Sequence, residues 1–329
     1  MINSPNYKNG QFQNINPTPA LTEGVSYTSV LKEFFFRKKP NRIPASTLPA
    51  QKTDLFKLDP SADVLVWFGH SSYFLQVDGK RFLVDPVLSG NASPLKFTTR
   101  SFAGSDRYTV DDIPAIDYLI ITHDHWDHLD HDTVVKLIPK VGKVITGLGV
   151  GAHLEHWGYS PSVISEMDWN DEILLEQGYT INSAPARHFS GRTFKRNTTL
   201  WSSFILTTPS SRLYIGGDSG YDNHFKAIGD KFGPFDLVIL ENGQYDKNWK
   251  YIHMQPEEVV RAAQDLKAKC LLPVHWSKFA LSNHAWNEPI NRVTREAENR
   301  NMEILYPMIG EALYFKQTFT GNRWWDSIT

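Results

Sequence analysis

Six consecutive residues, His123-Asp124-His125-Trp126-Asp127-His128, set the tightest limit on what this chain can become. They follow an apolar run, Ile116 to Thr122, that reads as a strand buried on both faces. A strand end can present several side chains in one direction without desolvating them in a core. Imidazole nitrogen and carboxylate oxygen are ordinary ligands of Zn2+ and similar ions. His123 and His125 project from one side of an extended chain, whereas Asp127 and His128 turn away, so one loop could feed two adjacent metals. A solvated polar loop would have no need of three histidines and two aspartates directly after a buried strand.

One loop cannot complete two metal sites, so further ligands are expected at other strand ends. His188 follows Ile181 to Ala186, Asp218 follows Ile215-Gly216-Gly217, and His275 follows Leu271 to Val274. Each alone is more often a capped or buried polar residue. Their shared position at strand ends argues for a common purpose. His70 and Asp85 stand at two further strand ends and are expected to orient ligands. Asp124 is expected in the same outer layer. His284, near the presumed mouth, reads equally as a substrate contact or a plain loop histidine. His253 precedes the helix opened by Pro256-Glu257-Glu258, and on residue type alone it reads as a surface histidine. His131, His153, His156 and His224 receive no role.

The rest of the chain is that of a globular protein. Its 329 residues are 41% hydrophobic and 21% charged, with a net charge of −2. That balance disfavours nucleic acid, which needs a basic face. Cys270, the single cysteine, lies in an apolar run and reads as a buried small hydrophobe; a chain without disulfides suits the cytoplasm. The first 24 residues are polar and rich in Asn and Pro, expected to form a flexible or loosely docked arm with no signal-peptide character. No apolar run approaches the length that spans a membrane. Val30 to Lys39 combines three Phe with Arg37, Lys38 and Lys39. A short helix packing its Phe on the main domain is the favoured reading, and peripheral membrane contact the alternative. The chain is also open to homo-oligomerisation.

From Asp63 onward, strand-rich blocks alternate with helices twice over. Asp78-Gly79 predicts a hairpin turn between Tyr73–Val77 and Arg81–Val84. A second strand-rich block is expected from near Tyr179, a helix near Pro289 to Arg300, and a final hairpin near Glu303 to Phe315. Two sheets packed face to face, with helices outside, fit this order best. The expected fold class is α/β (α+β).

The pattern His123-x-His125-x-Asp127-His128, with His188, Asp218 and His275, resembles the metallo-β-lactamase superfamily from about Asp63 to Phe315. Trp67-Phe68-Gly69-His70-Ser71-Ser72, Phe232 to Leu237, His253 to Glu258 and His275 to Leu281 are similar to the N-acyl-phosphatidylethanolamine phospholipase D branch. The resemblance implies a four-layer αβ/βα sandwich of two mixed sheets, with a two-metal site at the sheet edge. It implies an N-terminal arm and short helical segment over 1–58 and a hydrolase domain over 59–329. One metal would be held by His123, His125 and His188, the other by Asp127, His128 and His275, with Asp218 bridging. His253 would orient substrate or move a proton. The segment Glu241 to Asp246 departs from animal members of the branch, as does the N-terminal arm.

The leading expectation is hydrolysis of a phosphodiester by a hydroxide between the metals, with a phospholipid of the N-acyl-ethanolamine type as substrate. The same site could open a sugar-phosphate lactone. A non-catalytic metal-binding or nucleic-acid-processing protein is the third reading, disfavoured by the full ligand set and the acidic balance. Zn2+ suits the ligands, and Mn2+ or Fe2+ accept such sets too.

Overall fold

Short apolar runs separated by turn residues give strands, and these form two large sheets. The structure, a computed structural model, describes residues 3–36, 41–192 and 195–328, without the side chains at 27, 31, 34 and 35. A small hairpin, β1 (Tyr7–Lys8) and β2 (Gln11–Phe12), and helix α1 (Tyr27–Phe36) come first. Then follow β3 (Val64–Trp67), β4 (Tyr73–Val77), β5 (Lys80–Val84), β6 (Ile116–Ile121), α2 (His131–Leu137), β7 (Val141–Gly147), α3 (Gly151–His156) and β8 (Ile164–Met167). The second half contains β9 (Glu172–Glu176), β10 (Tyr179–Pro185), β11 (Ser202–Thr207), β12 (Arg212–Ile215), α4 (His224–Phe232), β13 (Leu237–Glu241), α5 (Pro256–Asp265) and β14 (Cys270–Val274). Helix α6 (Glu288–Asn299), β15 (Glu303–Ile304) and β16 (Ala312–Leu313) close the chain.

The first sheet has the order β16-β3-β4-β5-β6-β7-β8 and the second β15-β14-β13-β12-β11-β10-β9. Strands β5 to β8 run parallel, as do β12 to β15, and the remaining neighbours are antiparallel. Parallel pairs need crossovers, which α2 and α3 supply on one sheet and α4, α5 and α6 on the other. The two halves therefore share one pairing plan without any sequence repeat to announce it.

Period-two alternation sorts the strand residues between layers. Leu65, Trp67, Leu75 and Phe82 join Ile181, Phe204, Leu213 and Ile239 in the apolar cluster between the sheets. Val64, Val66, Phe74 and Leu83 face the other way, onto Val134, Leu137 and Leu154 of α2 and α3. Helices on the outer faces complete four layers. Asp78 and Gly79 take φ of 48° and 80°, as the hairpin between β4 and β5 requires. Helix α5 starts at a capping box between Gln255 and Glu258 with proline at its first turn.

Three expectations need correction. Glu303 to Phe315 is not a hairpin: β15 pairs with β14 and β16 with β3, so the segment crosses from one sheet to the other. The second sheet begins at β9, before Tyr179. Residues 3–24 are firmly docked. Phe12 is fully buried among Trp169, Leu200 and Trp201, and its N–H donates to the Asn197 carbonyl at 2.8 Å. A polar, Asn-rich composition conceals this because most of its anchors are amide hydrogen bonds to distant loops. The membrane-contact reading falls on the side chains of Phe34 and Phe35, which are not described, and on Arg37 to Lys39, which lie outside the described residues; Phe36 is exposed. Among the described residues no helix is long and apolar enough to cross a membrane.

Candidate metal centre

The sheet edges bring the strand ends together. His70 lies beyond β3, Asp85 beyond β5, the histidine run beyond β6, His188 beyond β10, Asp218 beyond β12 and His275 beyond β14. His70, Asp85 and His275 take positive φ of 53°, 41° and 68°. Non-glycine residues adopt that region at a cost, and such strain concentrates where side chains must be aimed.

Two groups of ligand-type atoms result, each lying within 4.8 Å of one another: His123, His125, His188 and Asp218, and His70, Asp127, His128 and His275. In the first, His125 Nδ1 is 2.9 Å from His123 Nε2 and 3.2 Å from His188 Nε2. The outward nitrogens fix the tautomers. His188 Nδ1 donates to the Ile252 carbonyl at 2.9 Å. Thr122 spends its one hydroxyl proton on Asp85 Oδ2 at 2.6 Å, so it accepts from His123 Nδ1 at 3.0 Å. His123 and His188 therefore both turn bare Nε2 lone pairs towards one point. A cation there reconciles them.

In the second group, His128 Nδ1 donates to Asp85 Oδ2 at 2.7 Å, and its Nε2 has no hydrogen-bond partner among the described residues. Asp127 Oδ2 lies 3.7 Å from that Nε2 and 4.0 Å from His275 Nε2. His70 Nε2 bonds the same Asp127 oxygen at 2.9 Å, and Ser71 Oγ bonds His275 Nδ1 at 2.8 Å. Asp218 reaches both groups. Its Oδ1 is 3.2 Å from His128 Nε2, and its Oδ2 is 3.7 Å from His188 Nε2.

The donor set fits divalent ions. The Nε2 atoms of His128 and His275 and Oδ1 of Asp218 are buried and make no hydrogen bond among the described residues. Such orphans are costly unless something binds them. Burial holds His123, His188 and His275 well below the ordinary imidazole range, in the neutral form that ligates. Burial also opposes charge on Asp218 and on His128, but Asp218 is held well below the usual carboxylate range by His128, which Asp218, Asp127 and Asp85 hold well above the ordinary imidazole range.

The other expected residues find different stations. His253 stands beside the centre; Asp218, His253 and His275 offer atoms within 4.8 Å of one another. It is 8% exposed, which corrects the surface reading. Asp124 points away, accepting from Gly191 N at 2.7 Å, with His153 Nε2 3.4 Å from its other oxygen. His284 is not at the metals: its Nε2 accepts from Gln244 N at 2.8 Å and its ring stacks on Tyr245.

Other residues at the site stand outside the histidine and aspartate pattern. Glu241 ends buried β13 and obeys the same strand-end rule as the ligands. Its Oε1 accepts from Met254 N at 2.6 Å, and its Oε2 lies 3.6 Å from His253 Nδ1. Burial pushes its carboxyl up to about 7, with His253 opposing the rise. Ala20 and Leu21, from the docked arm, line a cavity of about 290 Å³ over the centre, together with Phe189, Arg196, Trp249 and Leu281. Only their tertiary placement reveals them.

Comparison with known proteins agrees with this geometry. The Beta-lactamase superfamily domain matches residues 80–276. A protein of Mycobacterium tuberculosis is 39% identical over 327 residues, spanning 98% of this chain and 87% of that one. The N-acyl-phosphatidylethanolamine-hydrolyzing phospholipase D 1 of Caenorhabditis elegans is 30% identical over 291 residues, spanning 82% and 80%. Among solved structures, a metallo hydrolase from the archaeon Ignicoccus hospitalis superposes with a TM-score of 0.59 at 19% identity, covering 77% of this chain and 97% of that one. That last likeness concerns the fold alone.

Proposed function

Since this chain belongs to the metallo-β-lactamase superfamily of metal-dependent hydrolases, in the branch of the N-acyl-phosphatidylethanolamine phospholipases D, we propose that it hydrolyses a phosphodiester. The substrate class is a phospholipid of the N-acyl-ethanolamine type. The observation that carries this reading is Asp218, one carboxylate within reach of two adjacent groups of bare, buried ligand atoms. The pair of ligand sets is what a two-metal hydrolase of anionic esters requires.

His123, His125 and His188 would hold one ion, Asp127, His128 and His275 the other, and Asp218 both. Zn2+ is the proposed metal, because imidazole and carboxylate suit it. Two such ions, once bound, would supply a more acidic water and would neutralise charge on the attacked group. The chain's own residues do the rest. Asp85, Thr122, Ser71 and the Ile252 carbonyl fix the ring orientations. His253, backed by Glu241, orients the phosphoryl oxygens or hands a proton to the leaving oxygen. Arg196 adds positive charge at the cavity wall.

The test is Asp218→Asn in purified, metal-loaded protein, assayed on a panel of phosphodiesters and sugar-phosphate lactones. Turnover of diesters by the wild type, lost in a variant with unchanged circular dichroism, is expected. Retained diesterase activity in the variant would sink the mechanism, and lactone turnover without diester turnover would move the reading to carbonyl attack.

A further inference from the structure

The N-terminal segment is stapled to two of the loops that line the cavity. At one end, Asn14 Oδ1 accepts from His188 N at 3.1 Å, and Asn14 Nδ2 donates to the His188 carbonyl at 2.7 Å. Arg187 adds hydrogen bonds to the Pro17 carbonyl and Thr18 Oγ1, both at 3.0 Å. At the other end, Thr22 N donates to the Asn248 carbonyl at 2.8 Å and Thr22 Oγ1 to the Lys247 carbonyl at 2.7 Å. Tyr251 OH donates to Glu23 Oε1 at 2.5 Å. One of the loops held at these two ends brings His188 to the cavity, and the other brings Trp249, Ile252 and His253. Between the staples lie Ala20 and Leu21, which form part of its wall.

The cavity lining divides into two chemical sets. Arg196, and the divalent ions that the histidines and aspartates would hold, suit an anionic group. Leu21, Phe189, Trp249, Ile252 and Leu281 form an apolar set, and Leu281 leaves 37% of its surface in water. Apolar surface left open beside a binding site is covered favourably by an apolar ligand. About 290 Å³ lies at the small end of ligand cavities, which suits one chain better than a whole diacyl lipid.

We propose that residues 14–23 form a substrate-selecting strap, in which Leu21, together with Leu281 of the same cavity lining, holds a single alkyl or acyl chain of a ligand whose anionic group meets the metal ligands. The proposal rests on the metal-hydrolase reading for the anionic end only. The strap is built in and need not move: its role is to set the bulk and length of the chain that the cavity accepts.

Binding can be read without turnover. Methyl-, butyl- and octylphosphonate are titrated by calorimetry into the metal-loaded full chain. In the wild type, affinity is expected to rise with chain length by up to about fourfold per buried methylene. Leu21→Ala is expected to lower the ratio of octyl to methyl affinity about tenfold. Leu281→Ser, elsewhere in the lining, should lower the same ratio, and Leu21→Trp should lower it by blocking the longer chain. Equal octyl and methyl affinities in the wild type, binding of neither, or a ratio unchanged in the Leu21 variants would overturn the strap. Diester turnover is assayed separately: its absence beside an intact chain-length dependence would remove the phosphodiesterase reading and leave the strap standing.

Discussion

Asp85 accepts a hydrogen bond from His128 Nδ1 at 2.7 Å, and the same carboxylate takes the Thr122 hydroxyl at 2.6 Å and the Thr122 N–H at 2.8 Å. One buried residue beyond β5 thereby sets the tautomer of His128 directly and that of His123 through Thr122. Asp85→Asn is expected to weaken metal affinity by about 10- to 100-fold, because partners behind the ligands tune affinity on that scale. Competition against a chromogenic chelator measures it. Unchanged affinity would mean that the orientation of His128 does not depend on Asp85.

Metal removal should also cost stability. The centre buries bare imidazole nitrogens and carboxylates that the metal-free fold must hold against repulsion and desolvation. With free metal at a thousand times its dissociation constant, the loaded protein should gain about 4 kcal/mol over the chelated one. Urea midpoints with and without chelator give the comparison, and coincident midpoints would count against a bound ion.

Phe12→Ala tests the docking of the N-terminal segment. Phe12 is fully buried against Trp169 and Trp201. Truncating a buried Phe costs about 3 kcal/mol or more, whereas a loosely held arm would register almost nothing. Chemical denaturation of the two proteins decides between these outcomes.

His224, the first residue of α4, predicts an acid-side loss of stability. Burial pushes its imidazole down to about 4 from an ordinary 6.5. Between those values the unfolded chain binds a proton that the folded chain refuses, so stability falls as pH falls through that window. The difference of two and a half pH units corresponds to about 3 kcal/mol at most. His224→Gln should flatten this part of the stability profile relative to the wild type. Parallel profiles would show that the histidine does not titrate as described.

Cys270 should be inert in the native protein. It is 5% exposed, and burial pushes the thiol up to about 12, so almost no thiolate forms near neutrality. One thiol per chain should react with Ellman's reagent in denaturant and none, on the scale of minutes, without it. Rapid native labelling would mean that the edge around β14 opens readily.

The sequence carried most of the centre because its rule is local. A buried apolar run that stops at a His or Asp marks a strand end, and His123, His125, Asp127, His128, His188, Asp218 and His275 all obey it. Glu241 obeys it too, but its purpose depends on His253, twelve residues further on, packing beside it. The β4–β5 turn and the start of α5 were equally legible, since both rest on the backbone preferences of a few adjacent residues.

What only the tertiary structure decided is which distant segments meet. The parting of β15 and β16 between two sheets, the seating of Phe12 under Trp201, and the placing of Leu21 over the metal ligands leave no periodic trace in the chain. Side-chain type and neighbouring geometry determine which atoms can bind a metal and which runs become strands. Pairing across a hundred or more residues is determined by how two sheets close on a shared apolar core, and by backbone amides and carbonyls that every residue type carries alike.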